Sequence, residues 1–221
     1  WGLSNATAYK VRYKYSGQFQ INYRNVVQGE RQFSDFSQSR EFFVRWRHNN
    51  DPKFNPGSSF KALINAGTST NFRNDYNNIS ASNYLTNTFN SNISWSKQFK
   101  KAISSNININ ARHSQNSNTE IMTFSIPEIS YNVNRFYPFK MLRKTSINKN
   151  FIHEIINQTN LNYQLNTKNE ISLNSESLLN NSFNDLLDKS RNGMKHNVSA
   201  STSIKLFGKN LTINPASQLS S

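Results

Sequence analysis

From Ile103 to His113 the chain reads Ile-Ser-Ser-Asn-Ile-Asn-Ile-Asn-Ala-Arg-His. Ile103, Ser105, Ile107, Ile109 and Ala111 share one parity, and Ser104, Asn106, Asn108, Asn110 and Arg112 share the other. Successive side chains of an extended strand point to opposite faces, so this segment suits a place where one face meets an apolar medium and the other meets water. At roughly 3.3 Å per residue it spans about 36 Å, enough to cross a bilayer at the tilt of a barrel strand. Soluble strands are mostly shorter. The same two-faced reading fits segment after segment along the chain.

Bulk composition agrees with it. Mean hydropathy is -0.74 and only 35% of the 221 residues are hydrophobic, lean for a soluble core of this size. Asn (37) and Ser (31) make up nearly a third of the chain, which alone would suggest disorder, but 13% aromatics argue for an ordered fold. A chain that is apolar only on an outward half reconciles the two. No run approaches 18 apolar residues, so no spanning helix is expected, and Trp1-Gly2-Leu3-Ser4 carries neither initiator Met nor signal peptide, as expected of a stretch taken from mid-protein. Without cysteine there is no disulfide framework or Cys nucleophile. The net charge of +14 suits an anionic partner such as acidic head groups, a phosphorylated glycolipid or nucleic acid.

Along the chain, Tyr9, Val11, Tyr13 and Tyr15 alternate with Lys10, Arg12 and Lys14 as a first strand, with Ser16-Gly17 as a tight turn into Phe19, Ile21 and Tyr23. A polar loop is expected from Asn25 to Arg40, then a strand from Phe42 to His48 closed by Asp51-Pro52 and Asn55-Pro56-Gly57. Phe60 to Ala66 marks a fourth strand and Phe89 to Phe99 a fifth, separated by an Asn-rich loop from Asn71 to Tyr84. Lys100-Lys101 turns into the strand at Ile103. In the stretch Ile121 to Phe136, Pro127 shifts the parity, marking a bulge in one long strand or a junction of two. A strand from Ile155 to Asn166 turns at Thr167-Lys168-Asn169 into a short one near Ile171. Leu178, Leu179, Phe183, Leu186 and Leu187 space as an amphipathic helix with Gly193 at its exit. His196 to Leu206 is a further strand, Phe207 to Asn210 a turn, and Leu211-Thr212-Ile213 opens a last strand. This gives about eleven next-neighbour strands, although the alternation of short and long connections breaks at Pro138-Phe139.

Chemistry-bearing motifs are scarce. His48, His113, His153 and His196 have no metal-ligand spacing, no acid and base pair stands out, and no serine has a nucleophile-elbow context, so neither metal, cofactor nor catalysis is expected. N-x-[ST] triplets such as Asn92-Ile93-Ser94 arise by chance in so Asn-rich a chain. Lys10, Arg12, Lys14, Arg24, Arg45 and Arg47 come from the polar parity of three successive strands. They form either a solvated lumen wall or a patch that meets phosphate groups. Tyr9, Tyr13, Phe42, Trp46, Ile107 and Ile109 are the candidate membrane-facing residues, and Trp46, Trp95, Tyr137 and Phe139 suit aromatic girdles. The cations alternate within strands instead of clustering with exposed aromatics, which disfavours nucleic acid.

Phe43-Val44-Arg45-Trp46-Arg47-His48, Asp51-Pro52-Lys53, Asn55-Pro56-Gly57 and Asn65-Ala66-Gly67 together resemble the barrel of lipopolysaccharide-assembly proteins of the LptD type, in the branch found in Bacteroidota. Tyr84-Leu85-Thr86-Asn87-Thr88, Ala111-Arg112-His113-Ser114-Gln115-Asn116, Ile126-Pro127-Glu128 and Asn134-Arg135-Phe136-Tyr137-Pro138-Phe139-Lys140 extend the resemblance in the same order, from about residue 40 to about residue 140.

The resemblance implies a large barrel in the outer membrane of a Gram-negative bacterium. Such a barrel takes lipopolysaccharide from a periplasmic bridge and releases it into the outer leaflet, with an LptE-type lipoprotein plugging its lumen. The stretch is expected to depart from the family in containing no periplasmic jelly-roll domain. Bacterial barrels reach 26 strands and more, so about eleven read as a fragment, residues 1–221, of the barrel domain. The disulfide control of some relatives has no cysteines here to act on. The expected fold is all-β, part of a large antiparallel up-and-down transmembrane β-barrel. A generic porin or nutrient-receptor barrel shares the periodic features, and from another class a soluble β-sandwich binding an acidic polymer is the alternative.

Overall fold

The computed structural model describes residues 1–68, 88–100, 103–116, 119, 121–142, 151–174, 188–206 and 211–221. Its strands are β1 (Gly2–Val11), β2 (Tyr15–Gln28), β3 (Ser37–Asn50), β4 (Ser58–Gly67), β5 (Thr88–Lys100), β6 (Ser104–Asn116), β7 (Ile121–Phe136), β8 (Asn160–Asn174), β9 (Arg191–Ser201), β10 (Ile204–Leu206), β11 (Leu211–Ile213) and β12 (Ala216–Ser220). Two helices, α1 (Pro138–Leu142) and α2 (Phe151–Gln158), lie between β7 and β8. Ten strands form one sheet in the order β1-β2-β3-β4-β5-β6-β7-β8-β9-β12, and β10 pairs with β11 apart from it. The fold is all-β, and the sheet's strands from β1 to β9 are joined next-neighbour, as the alternation requires, while β12 returns to pair with β9 after the separate β10-β11 pair. No described helix is long and apolar enough to cross a membrane.

Several boundaries differ from the sequence expectation. The first turn is Arg12 to Lys14, not Ser16-Gly17. The Lys14 amide donates to the Val11 carbonyl at 3.0 Å, Tyr13 takes a left-handed φ of 62°, and Val11 pairs with Tyr15. Gly17 lies inside β2, opposite Tyr9. The expected loop from Asn25 to Arg40 is strand over half its length, since Asn25 pairs with Arg40 and Gln28 with Ser37, and only the residues between Gln28 and Ser37 form the connection. Thr167-Lys168-Asn169 is not a turn but the middle of β8, and Ile171 belongs to the same strand. Ile155 belongs to α2, so the strand expected from it begins only at Asn160, and the break in alternation expected at Pro138-Phe139 falls where Pro138 opens α1. Gly193 lies within β9, and the strand expected through Leu206 ends at Ser201. The expected Leu178 to Leu187 helix, the Asn71 to Tyr84 loop and the Phe207 to Asn210 turn lie outside the described residues.

Pro127 does sit in one long strand, as a change of parity. Before it, the Phe124 ring packs 4.9 Å from that of His113, which shares the Ile107 and Ile109 parity of β6. After it, Asn134, also even-numbered, donates from Nδ2 to Ser104 Oγ at 3.1 Å, on the Asn parity of β6. A proline gives no amide to the ladder, so a residue can be added there without losing a hydrogen bond.

Contacts divide the chain into two compact units. The first comprises Trp1–Trp95, Asn110–Pro127 and Asn169–Asn192, and the second Ser96–Ile109, Glu128–Lys168 and Gly193–Ser221. In the second unit, α2 is tied down at its C-terminal end. The hydroxyls of Thr159 and Thr202 both donate to the Ile155 carbonyl, at 3.0 and 2.9 Å, satisfying an acceptor that the helix leaves open.

Candidate functional site

The register of β1 to β4 sorts side chains row by row, because directly paired residues share a face. One face carries Leu3, Tyr23 and Phe42 in one row, Thr7, Phe19, Trp46 and Ile64 in another, and Tyr9, Gly17, His48 and Ala62 in a third. The opposite face carries Ala6, Gln20, Arg45 and Asn65, then Ala8, Gln18, Arg47 and Leu63, then Lys10, Ser16, Asn49 and Lys61.

On the apolar face the polar atoms are matched to one another. Trp46 Nε1 donates to the Tyr9 hydroxyl at 2.8 Å, that hydroxyl donates to His48 Nδ1 at 2.8 Å, and His48 Nε2 donates to Asn50 Oδ1 at 2.9 Å. Tyr9 reaches His48 two strands away because Gly17 between them has no side chain. A Cβ there would overlap the Tyr9 hydroxyl and ring. Leaving such donors unpaired in an apolar medium would cost about 1–3 kcal/mol each, so the notch at Gly17 is what makes polar rings tolerable on this face. The Tyr and His pairing recurs in the second unit. There the Tyr163 hydroxyl meets His196 Nδ1 at 2.9 Å, with rings 6.1 Å apart.

On the polar face Arg45 and Arg47 stand two residues apart beside Gln18 and Gln20. Ala6 and Ala8 of β1 are too small to fill the space before them, and a shallow hollow results. Arg45 Nε donates to Asn65 Oδ1 at 3.1 Å, and its guanidinium lies 5.3 Å from the centre of the Phe43 ring, which together hold it in place. Lys10 and Arg47 border the adjoining hollow with Ser16, Gln18 and Asn49.

The candidate cations do not all belong to one patch. Arg24 is paired across the strands with Glu41, which is fully buried, at 3.7 Å. Arg12 and Lys14 sit in the first turn, with the Arg12 guanidinium 4.7 Å from the Tyr13 ring centre and the Lys14 ammonium 5.8 Å from that of Phe54. Tyr13 is at the same turn, not in a strand row. The structure therefore brings together Lys10, Arg45 and Arg47. It adds Lys61, missed in the sequence although its parity opposes that of Phe60, Ala62 and Ile64. Tyr9, Phe42 and Trp46 share the opposite face, and Ile107 and Ile109 alternate with the Asn positions of β6.

A next-neighbour antiparallel sheet of long strands, aromatic and aliphatic on one face and carboxamide-rich or cationic on the other, defines the class: the wall of an outer-membrane β-barrel. The family model for LptD protein matches residues 1–221, and the chain belongs to the LptD family. This is a non-enzymatic outer-membrane family of Gram-negative bacteria with a role in lipopolysaccharide transport and assembly. Comparison of the sequence with curated proteins returned no match.

Proposed function

We propose that this stretch of barrel wall guides lipopolysaccharide, or a related anionic glycolipid, into the outer leaflet. The glycolipid would come from a periplasmic bridge, with an LptE-type lipoprotein in the lumen and no covalent chemistry at any step. The observation that carries this reading is the sorting of Lys10, Arg45 and Arg47 onto one face while Tyr9, Phe42 and Trp46 take the other. Guanidinium groups hold phosphate through paired, charge-assisted hydrogen bonds, and alanines opposite them leave room for a head group. On this reading the polar face looks into the lumen and the apolar face into lipid.

The test is a photo-crosslinking residue placed in the full-length protein in cells. Positions Ala8 and Arg47 are expected to give lipopolysaccharide adducts that depend on active transport, and position Gln38, in the polar ladder beyond the apolar rows, is not. Equal adducts at all three, or none at Ala8 and Arg47, would count against the path. The orientation has its own check: a Cys at Asn108 should react with a water-soluble maleimide and a Cys at Ile109 should not. The reverse pattern would sink it.

A further inference from the structure

We propose that the polar face of the second unit is a binding subsite for an uncharged, hydroxyl-rich saccharide, separate in chemistry from the cationic face of β1 to β4. The proposal rests on the glycolipid-transport reading and assigns the part of the glycolipid that this surface takes. A hollow in this unit is lined by Asn106 of β6, Asn132 and Asn134 of β7, Asn162 and Gln164 of β8 and Gln218 of β12. Arg135 is its one charged lining residue.

Its carboxamides are braced from the side. Asn134 donates to Ser104 Oγ at 3.1 Å, Asn132 to Ser130 Oγ at 3.2 Å, Asn162 to Ser199 Oγ at 3.3 Å and Gln218 to Asn197 Oδ1 at 3.1 Å. Each brace uses an NH₂ group and leaves the carboxamide oxygen of Asn132, Asn134, Asn162 or Gln218 without a partner among the described residues. The side-chain carboxamides of Asn106 and Gln164 make no hydrogen bond to any described residue, so both offer a donor and an acceptor.

That array matches a polyol more closely than an anion. A sugar hydroxyl donates one hydrogen bond and accepts others, and adjacent hydroxyls meet a carboxamide's paired oxygen and NH₂. Phosphate offers acceptors only, and the acceptor oxygens left open here would repel it. Braced side chains also lose little rotamer freedom when a ligand arrives, which favours binding over mere wetting of the wall.

The probe is the oligosaccharide released from the host's lipopolysaccharide by mild acid, then dephosphorylated and carboxyl-reduced so that it carries no charge, titrated into the full-length protein in detergent micelles. Binding is read by saturation-transfer NMR. Asn106→Ala combined with Gln164→Ala removes both unpartnered carboxamides and keeps every brace. Folding is confirmed by heat-modifiable migration, and the double variant is expected to raise the dissociation constant about tenfold. Asn106→Asp and Gln164→Glu, made singly, keep size while removing donors, and should each weaken binding. Arg45→Gln with Arg47→Gln should weaken intact lipopolysaccharide and leave the neutral oligosaccharide unaffected.

The subsite is overturned if the oligosaccharide does not bind the folded wild type, or binds the Asn106/Gln164 double variant equally well. The transport reading fails separately, if intact lipopolysaccharide does not bind the wild type.

Discussion

Gly17→Ala is the sharpest test of the packing on the apolar face. An added Cβ would lie 2.5 Å from the Arg47 carbonyl oxygen, where real contacts essentially never fall below 3.0 Å, so β3 must withdraw by about 0.5 Å. It would also occupy the place of the Tyr9 hydroxyl and force the ring aside. The ring's departure breaks the bonds from Trp46 Nε1 and to His48 Nδ1, both 2.8 Å. Two neutral hydrogen bonds at about 1 kcal/mol each, with an overpacking cost of about 1–3 kcal/mol, give a loss of about 3–5 kcal/mol. Tyr9→Phe isolates the hydrogen-bond part and should cost about 2 kcal/mol.

A double-mutant cycle then separates the two contributions. In a Tyr9→Ala background Gly17→Ala meets only the carbonyl, so the double variant should be less destabilised than the two single changes together, by about 2 kcal/mol. The assay is equilibrium urea unfolding of the full-length protein refolded into liposomes, followed by heat-modifiable migration. If Gly17→Ala unfolds within about 0.5 kcal/mol of the wild type, or the two changes prove additive, the notch at Gly17 is not what seats the Tyr9 ring. A glycine whose task was to make a turn would be indifferent to Tyr9.

Three further outcomes follow from the same geometry. Arg45→Glu with Arg47→Glu should fold normally by heat-modifiable migration yet cut lipopolysaccharide crosslinking at Ala8 by at least about tenfold, since the phosphate-facing charge is reversed; unchanged adducts would show that these cations only wet the wall. Gly57→Ala, at a φ of 82°, should cost about 1–2 kcal/mol in the same unfolding assay, whereas an equal loss from Ser58→Ala would place the requirement elsewhere. Deleting Pro127 should leave maleimide labelling at Cys substitutions of Thr123 and Asn134 unchanged, because the apolar residues on its two sides then fall on one parity; a reversal at either position would show that no residue is added there.

What the sequence made legible is tied to the apolar rows. Ile107 and Ile109, or Phe42, Val44 and Trp46, alternate with polar residues, and wherever that contrast holds the strand was readable. The ladder of β2 and β3 continues beyond it, through Asn25 with Arg40 and Gln28 with Ser37. There Val26 and Val27 fall on opposite faces and every other side chain is polar, so no periodic contrast marks the strand and a loop was expected. The same holds at Thr167-Lys168-Asn169 in β8. The candidate site was half legible for a related reason: parity placed Arg45 and Arg47 together, but only register shows that Arg24 faces Glu41 and that Lys61 shares a row with Lys10.

Gly17 and Pro127 have a common physical cause behind their different outcomes. Both residue types usually punctuate a chain, the first because it tolerates left-handed backbone and the second because it lacks an amide proton. The turn before β2 instead uses Tyr13 in the left-handed region, while Gly17 serves as an empty position on a crowded face. A strand whose apolar face carries large rings must place something small beneath each ring that crosses a neighbour. A strand that adds a residue without losing a ladder bond does so most cheaply where a bond is already missing. In a wall of long strands, glycine and proline therefore carry information about the faces as well as the ends.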